Sequence, residues 1–222
     1  MRIVTLPGVF RPRSDTWLLA QRLEEERLGP GVTILDVCTG SGALAVFAAS
    51  RGALASAVDL SHRAVLTARL NARLNGVRVR ARRGDLFSPY GGERFDVIVS
   101  NPPYLPGGRD ERPPPRGAAR AWEGGLDGRV FLDRISREAV AHLRPGGVLL
   151  LVQSSVSGEA TTLERLRDGG FEPAVIDRRR GPLGPLLSAR ADELERQGRL
   201  EPGVREEELV VIRAQVPSRG GH

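Results

Sequence analysis

Between Val32 and Ser100 the sequence switches repeatedly between short apolar runs and longer segments of helical period, and this alternation limits the fold more than any other feature. VTILDVC (32–38), ALASAVDL (53–60) and FDVIVS (95–100) are short, apolar and bounded by Gly, Pro or charged residues, as buried strands are. GALAVFAASRG (42–52) reads as a helix opening at a glycine turn. SHRAVLTARLNARLNG (61–76) reads as a helix with a serine cap and a glycine stop. VRVRARRGD (77–85) alternates strictly, with Val77, Val79 and Ala81 on one face and Arg78, Arg80 and Arg82 on the other. That period of two fits a half-buried strand, and arginines on its open face suit an exposed sheet edge protected from pairing. A basic stripe for nucleic acid is the alternative. Strands alternating with helices of this length predict an α/β fold with a doubly wound, mostly parallel sheet.

The second half continues the pattern. RVFLDRISREAVAHL (129–143) is an amphipathic helix, RPGGVLLLVQ (144–153) a turn and a buried strand, and GEATTLERLRDGG (158–170) a helix. FEPAVIDRRR (171–180) and EELVVIRAQV (207–216) complete seven strands. No helix of crossover quality separates these last two, so they are expected to form an antiparallel hairpin. The chain reads as one domain, 1–222, with three special segments. Residues 1–30 form an extension in which Ser14 or Asp15 caps a helix over 15–28, ended by Gly29-Pro30. Residues 101–127 form a long loop, and 181–206 a flexible insertion with a short helix near 188–197.

Composition narrows the function classes. The net charge is +6 and the pI near 10.9, which invites a nucleic-acid reading. All 33 basic residues are arginine, however, and with 27 Gly and 16 Pro this reads as the coding bias of a GC-rich genome rather than a partner signal. Cys38 is the only cysteine, and His62, His142 and His222 are scattered, so no metal site is expected. Neither a membrane span nor a signal peptide is visible, and a cytoplasmic location is the default.

In open α/β sheets ligands bind beyond the carboxyl ends of the strands. The first strand ends in Asp36-Val37-Cys38-Thr39-Gly40-Ser41-Gly42, whose glycines permit close backbone approach to a ligand. The second ends at Asp59, placed to meet a ribose diol. The third is followed by Asp85-Leu86, the fourth by Asn101-Pro102-Pro103-Tyr104. Two ligands compete: a dinucleotide, for which Gly40-x-Gly42-x-x-Ala45 satisfies the fingerprint, and S-adenosylmethionine, which carries an adenosine but no pyrophosphate. A ligand-free glycine turn is the bland alternative.

The Asn101-Pro102-Pro103-Tyr104 motif separates the two. With it the sequence resembles the class I S-adenosylmethionine-dependent methyltransferases, in their HemK-like branch. FRPRSDTWLL (10–19), AWEGGLDGRVFLDR (121–134) and the ending GGFEPAVIDRRR…EELVVIRA are also similar to that branch, so the likeness runs over residues 8–214. The resemblance implies a methyl acceptor that is a planar amide or amino nitrogen. Asn101 and a carbonyl of the proline stretch, such as that of Pro102, would accept its two N–H groups, and Tyr104 would stack on the flat group. It also implies S-adenosylmethionine contacts at Thr16, Asp36, Cys38, Gly40, Gly42, Asp59, Asp85, Leu86 and Asn101. Cys38 departs from the pattern, which usually has glycine there.

The branch implies a glutamine side chain in the Gly-Gly-Gln loop of a peptide-chain release factor as substrate. The adenine amino group of DNA or RNA is the runner-up, and an inactive cofactor-binding protein a third reading. The short amino-terminal extension is similar to the archaeal and eukaryotic type, which implies a small activator subunit as a possible partner. In the loop, Arg109, Arg112, Arg116 and Arg120 are candidates to meet phosphate or an acidic protein surface.

Overall fold

A computed structural model describes residues 1–107 and 122–218. Seven strands form one sheet: β1 (Thr33–Val37), β2 (Leu54–Asp59), β3 (Val79–Arg83), β4 (Phe95–Ser100), β5 (Leu143–Ser154), β6 (Glu172–Pro182) and β7 (Glu206–Gln215). Their order is β3-β2-β1-β4-β5-β7-β6. The first five are parallel, and β7 runs antiparallel to both β5 and β6. The doubly wound sheet and the closing hairpin are those the sequence predicts. Val37 lies opposite Val58 on one side and Ser100 on the other, so β2, β1 and β4 end level. The chain winds outward from β1 to β3, then returns to β4 and winds the other way. The crevice above β1 and β4 is therefore the topological switch point, where ligands bind in such sheets.

Helices cover both faces, which is why residues 97–99 of β4 and 148–152 of β5 are continuously apolar instead of alternating. On one face α1 (Ser14–Glu24), α2 (Ala43–Ala49) and α3 (His62–Leu74) pack Leu19, Leu44 and Val65 against Ile34, Val99 and Leu150. On the other, α4 (Val130–Glu138) and α5 (Glu159–Asp168) pack Leu132, Ile135 and Leu166 against Leu35, Ile98 and Leu149.

The helix start at 14–15 differs from expectation. Arg13 holds the N-cap position of α1, with no side-chain cap, and Asp15 lies inside the first turn with its carboxylate engaged elsewhere. The helix also stops at Glu24. Backbone bonds from Glu25 to Arg22 and from Glu26 to Leu23, 3.2 Å each, tighten the last turn before Arg27 turns left-handed at φ +52. Ser61 does cap α3, accepting from the Ala64 N–H at 3.4 Å.

Strand β3 is an edge strand with Arg80 and Arg82 exposed. Both guanidinium groups lie 4.9 Å from the centre of the Tyr90 ring and pair with Glu93, so the stripe is held by a carboxylate and an aromatic face. The 181–206 segment, expected as flexible with one helix, contains two, α6 (Pro185–Ser188) and α7 (Ala191–Arg196). They cover a small apolar cluster of Val156, Leu183, Leu187, Ala191, Leu194 and Leu200. Periodicity missed it because each helix is two turns or fewer. The four loop arginines, Arg109 to Arg120, lie outside the described residues.

Gly42 shows how tightly the turn into α2 is built. Its φ is +80, and a Cβ there would stand 2.6 Å from Cβ and 2.7 Å from Cα of Ala68 on α3. Gly42→Ala combines left-handed strain with overpacking. It is expected to cost about 2–5 kcal/mol in denaturant unfolding, whereas Gly31→Ala, with the same sign of φ but open space around it, should cost only the strain.

Candidate active site

A cavity of about 800 Å³ opens at the carboxyl ends of β1, β2 and β4. Thr16, Asp36, Cys38, Gly40, Asp59, Asp85, Leu86, Asn101, Pro102 and Tyr104 all line it, so ten of the positions singled out in the sequence converge. Gly42 does not line it; its glycine requirement is the packing against α3. The outer wall comes from Trp122, Phe131 and the end of the β6–β7 hairpin.

Asp36 is buried at the floor. One carboxylate oxygen, Oδ2, accepts from the Thr39 hydroxyl at 2.5 Å and from the Ala45 N–H at 3.1 Å. The other, Oδ1, is buried with no hydrogen-bond partner among the described residues. Burial pushes the Asp36 carboxyl up to about 7; the two hydrogen bonds oppose that shift, and the charge of Asp59 adds to it. A buried acceptor without a donor costs free energy, so a donor that reached this oxygen from the cavity would be favoured.

Asp59 ties the first two strand ends together. Its Oδ2 accepts from the Gly40 N–H at 2.9 Å and its Oδ1 from the Ser61 N–H at 2.8 Å. The turn it braces is left-handed at Cys38, φ +60, and at Gly40, φ +54. The half-buried Cys38 side chain packs against the apolar cluster beneath α4. Burial, then the neighbouring carboxylates, hold its thiol well above the ordinary range, so it is no thiolate nucleophile. Beyond β3, Leu86 is also left-handed, at φ +46, and Asp85 is ion-paired with Arg134 of α4 at 2.9 Å.

The loop after β4 is fastened from two sides. On one side stands Asp15, whose Oδ2 accepts from the Tyr104 hydroxyl at 2.9 Å. Its Oδ1 accepts from the N–H and hydroxyl of Thr16, at 2.6 and 3.2 Å. The Asn101 side-chain NH₂ donates to the Thr16 hydroxyl at 3.0 Å, which fixes the amide of a residue that lines the cavity. On the other side, a Cβ on Gly128 would meet the Tyr104 carbonyl oxygen at 2.2 Å, and one on Gly124 the Pro103 carbonyl oxygen at 2.7 Å. These contacts explain Gly124 and Gly128 of WEGGLDG (122–128). The Ser157 hydroxyl takes up the Tyr104 carbonyl, while no donor among the described residues reaches that of Pro102.

Asp15 is the residue that sequence reading missed as functional. Ser-Asp-Thr before an apolar helix reads as a cap, and its partner Tyr104 stands 89 positions away. Burial of the Tyr104 hydroxyl, then the charge of Asp15, push its proton loss well above the ordinary tyrosine range, so the ring stays neutral. Among the described residues no cluster of His, Cys, Asp and Glu could hold a metal ion, and no helix is long and apolar enough to cross a membrane.

Over residues 1–112 the sequence matches the family model of the methyltransferase small domain. It is 36% identical over 182 residues to a protein of Methanocaldococcus jannaschii provisionally named protein N5-glutamine methyltransferase, spanning 82% of this chain and 90% of that one. It is also 36% identical over 189 residues to the release factor glutamine methyltransferase of Geobacter sulfurreducens, spanning 79% of this chain and 66% of that one. The chain therefore covers nearly all of the archaeal relative and just under two thirds of that bacterial one. Among solved structures, the E. cuniculi Mtq2–Trm112 complex, described as responsible for methylation of the eRF1 translation termination factor, matches with a TM-score of 0.65. At 23% identity, over 94% of this chain and 99% of that one, it shares the fold.

The Asp36 environment predicts a pH signature in the ligand-free protein. A carboxyl raised from 3.8 to about 7 on folding contributes stability that is complete below 3.8 and lost as pH rises through about 7. Wild-type unfolding free energy should fall with pH across that window, at up to about 1.4 kcal/mol per pH unit. Asp36→Asn should flatten the slope and be the more stable protein at pH 8; chemical denaturation at pH 5, 6, 7 and 8 reads both.

Proposed function

This chain belongs to the methyltransferase small-domain family, and from that premise we propose that it transfers a methyl group from S-adenosylmethionine to the side-chain amide nitrogen of a glutamine in a peptide-chain release factor. The names of its relatives support the substrate. The observation that carries the reading is the arrangement Asp15–Thr16–Asn101, in which the Thr16 hydroxyl holds the Asn101 NH₂ in the cavity lining that Tyr104, bonded to the same Asp15, shares.

The site fits the cofactor. The unpartnered Asp36 oxygen would take the ammonium group of its methionine end, with Thr16 and the backbone from Cys38 to Gly40 alongside. Asp59 would meet the ribose hydroxyls, and Asp85 and Leu86 the adenine. When bound, S-adenosylmethionine supplies an electrophilic methyl carbon on a positively charged sulfur.

The chain's own residues then act on the acceptor. An amide nitrogen is a poor nucleophile because its lone pair is shared with the carbonyl. Asn101 Oδ1 accepts one of its N–H groups and the Pro102 carbonyl the other, which orients the lone pair and excludes water. As the nitrogen gains positive charge both bonds strengthen, and stronger binding of the transition state than of the ground state is what accelerates a reaction; one of the two N–H protons is then lost to water as the methylated amide leaves. Prolines fix φ and hold the loop carbonyls in place. The neutral Tyr104 ring offers its face to the developing cation, worth about 0.5–2 kcal/mol.

Transfer of labelled methyl tests the reading. The label should enter a release factor and be lost when the glutamine of its Gly-Gly-Gln loop is changed to glutamate. Label in DNA or RNA alone would overturn the substrate. Asn101→Ala should lower turnover about 100- to 1000-fold while calorimetry finds cofactor affinity within a few-fold of wild type. If the purified chain binds cofactor but transfers nothing, a second subunit, as in the Mtq2–Trm112 complex, is the component to add.

A further inference from the structure

Three consecutive glutamates open β7, and the structure treats one of them differently. Glu206 pairs with Arg180 at 2.5 Å, and Glu208 pairs at 3.2 Å with Arg178, which also pairs with Glu159 of α5. Glu207 points the other way, into the active-site cavity with Arg179 and Leu209. Its Oε1 accepts from the Gly184 N–H at 3.1 Å. Its Oε2 is buried with no hydrogen-bond partner among the described residues. Opposite it in the ladder stands Gly181, where an added Cβ would meet nothing within 4 Å. Glu207 is near enough to Tyr104 for its charge to act on that hydroxyl. A buried carboxylate oxygen on a residue that lines the cavity is unfavourable until a donor reaches it.

We propose that Glu207 is a substrate-binding residue that accepts a backbone N–H of the peptide flanking the target glutamine. The inference rests on the reading of a protein substrate and adds the group that selects it. A peptide presents N–H donors beside its glutamine. The edge of adenine presents only ring lone pairs beside its amino group, so an anionic acceptor repels it. Guanine, with an N1–H next to its amino group, is the base that could use the same oxygen. RNA is therefore the control arm.

The experiment measures methyl transfer to a release factor by wild type, Glu207→Gln and Glu207→Ala. It uses both the natural factor and versions carrying a backbone ester in place of the amide at the glutamine or either neighbour. A lost hydrogen bond to a charged group corresponds to about a 10- to 100-fold effect. Glu207→Ala should raise KM for the release factor by that factor with little change in kcat or in cofactor affinity. Glu207→Gln, which keeps an acceptor oxygen, should recover part of it. One of the three esters should show the same KM penalty with wild type and none further with Glu207→Ala. A merely structural role at the Gly184 contact would lower thermal stability and leave ester and amide substrates equivalent in wild type. That result overturns the proposal, as does an unchanged KM in Glu207→Ala. If wild type labels RNA and not the release factor, the protein-substrate reading itself fails.

Discussion

The Asp15 carboxylate is the interaction on which the rest of the site depends. It stands in the first turn of α1, buried, and spends both oxygens: one on the Tyr104 hydroxyl, the other on Thr16, which in turn holds Asn101. A helix that precedes the sheet in sequence thereby sets the geometry of a loop that leaves the fourth strand. Each bond to the charged group is worth about 1.5–3 kcal/mol, enough to hold an aromatic ring and an amide in one orientation without any covalent constraint.

Around that anchor the backbone itself is strained. Cys38 and Leu86 are two of three described non-glycine residues with positive φ, and both line the cavity. Such conformations cost of order 1–3 kcal/mol each and persist where the surroundings over-determine them. Here Asp59 fixes the first turn through the Gly40 N–H, while apolar packing holds the Cys38 and Leu86 side chains. Cys38 thus packs against the apolar cluster while also lining the cavity.

Much of this was legible in the sequence. Seven strands, their mostly parallel arrangement and the closing hairpin follow from apolar runs and the helices between them, because a sheet covered on both faces leaves that imprint. Residues at strand ends were legible as a group, since the switch-point rule places them in one crevice. Asp15 was not, because a capping sequence and a long-range anchor use the same residue type. Glu207 was not, because in a run of three glutamates only strand register separates the two paired outward from the one turned inward. The short helix expected near 188–197 is α7, whereas α6 escaped because a helix of one turn carries no measurable period.

The measurement that tests the account most directly is a double-mutant cycle of Asp15→Ala and Tyr104→Phe, read as kcat for methyl transfer at saturating cofactor. If one carboxylate holds the acceptor site together, each single change lowers kcat about 10- to 100-fold, and the double variant is no worse than Asp15→Ala alone. Losses that multiply, or an Asp15→Ala variant with wild-type turnover, would show that the loop holds its geometry without the helix.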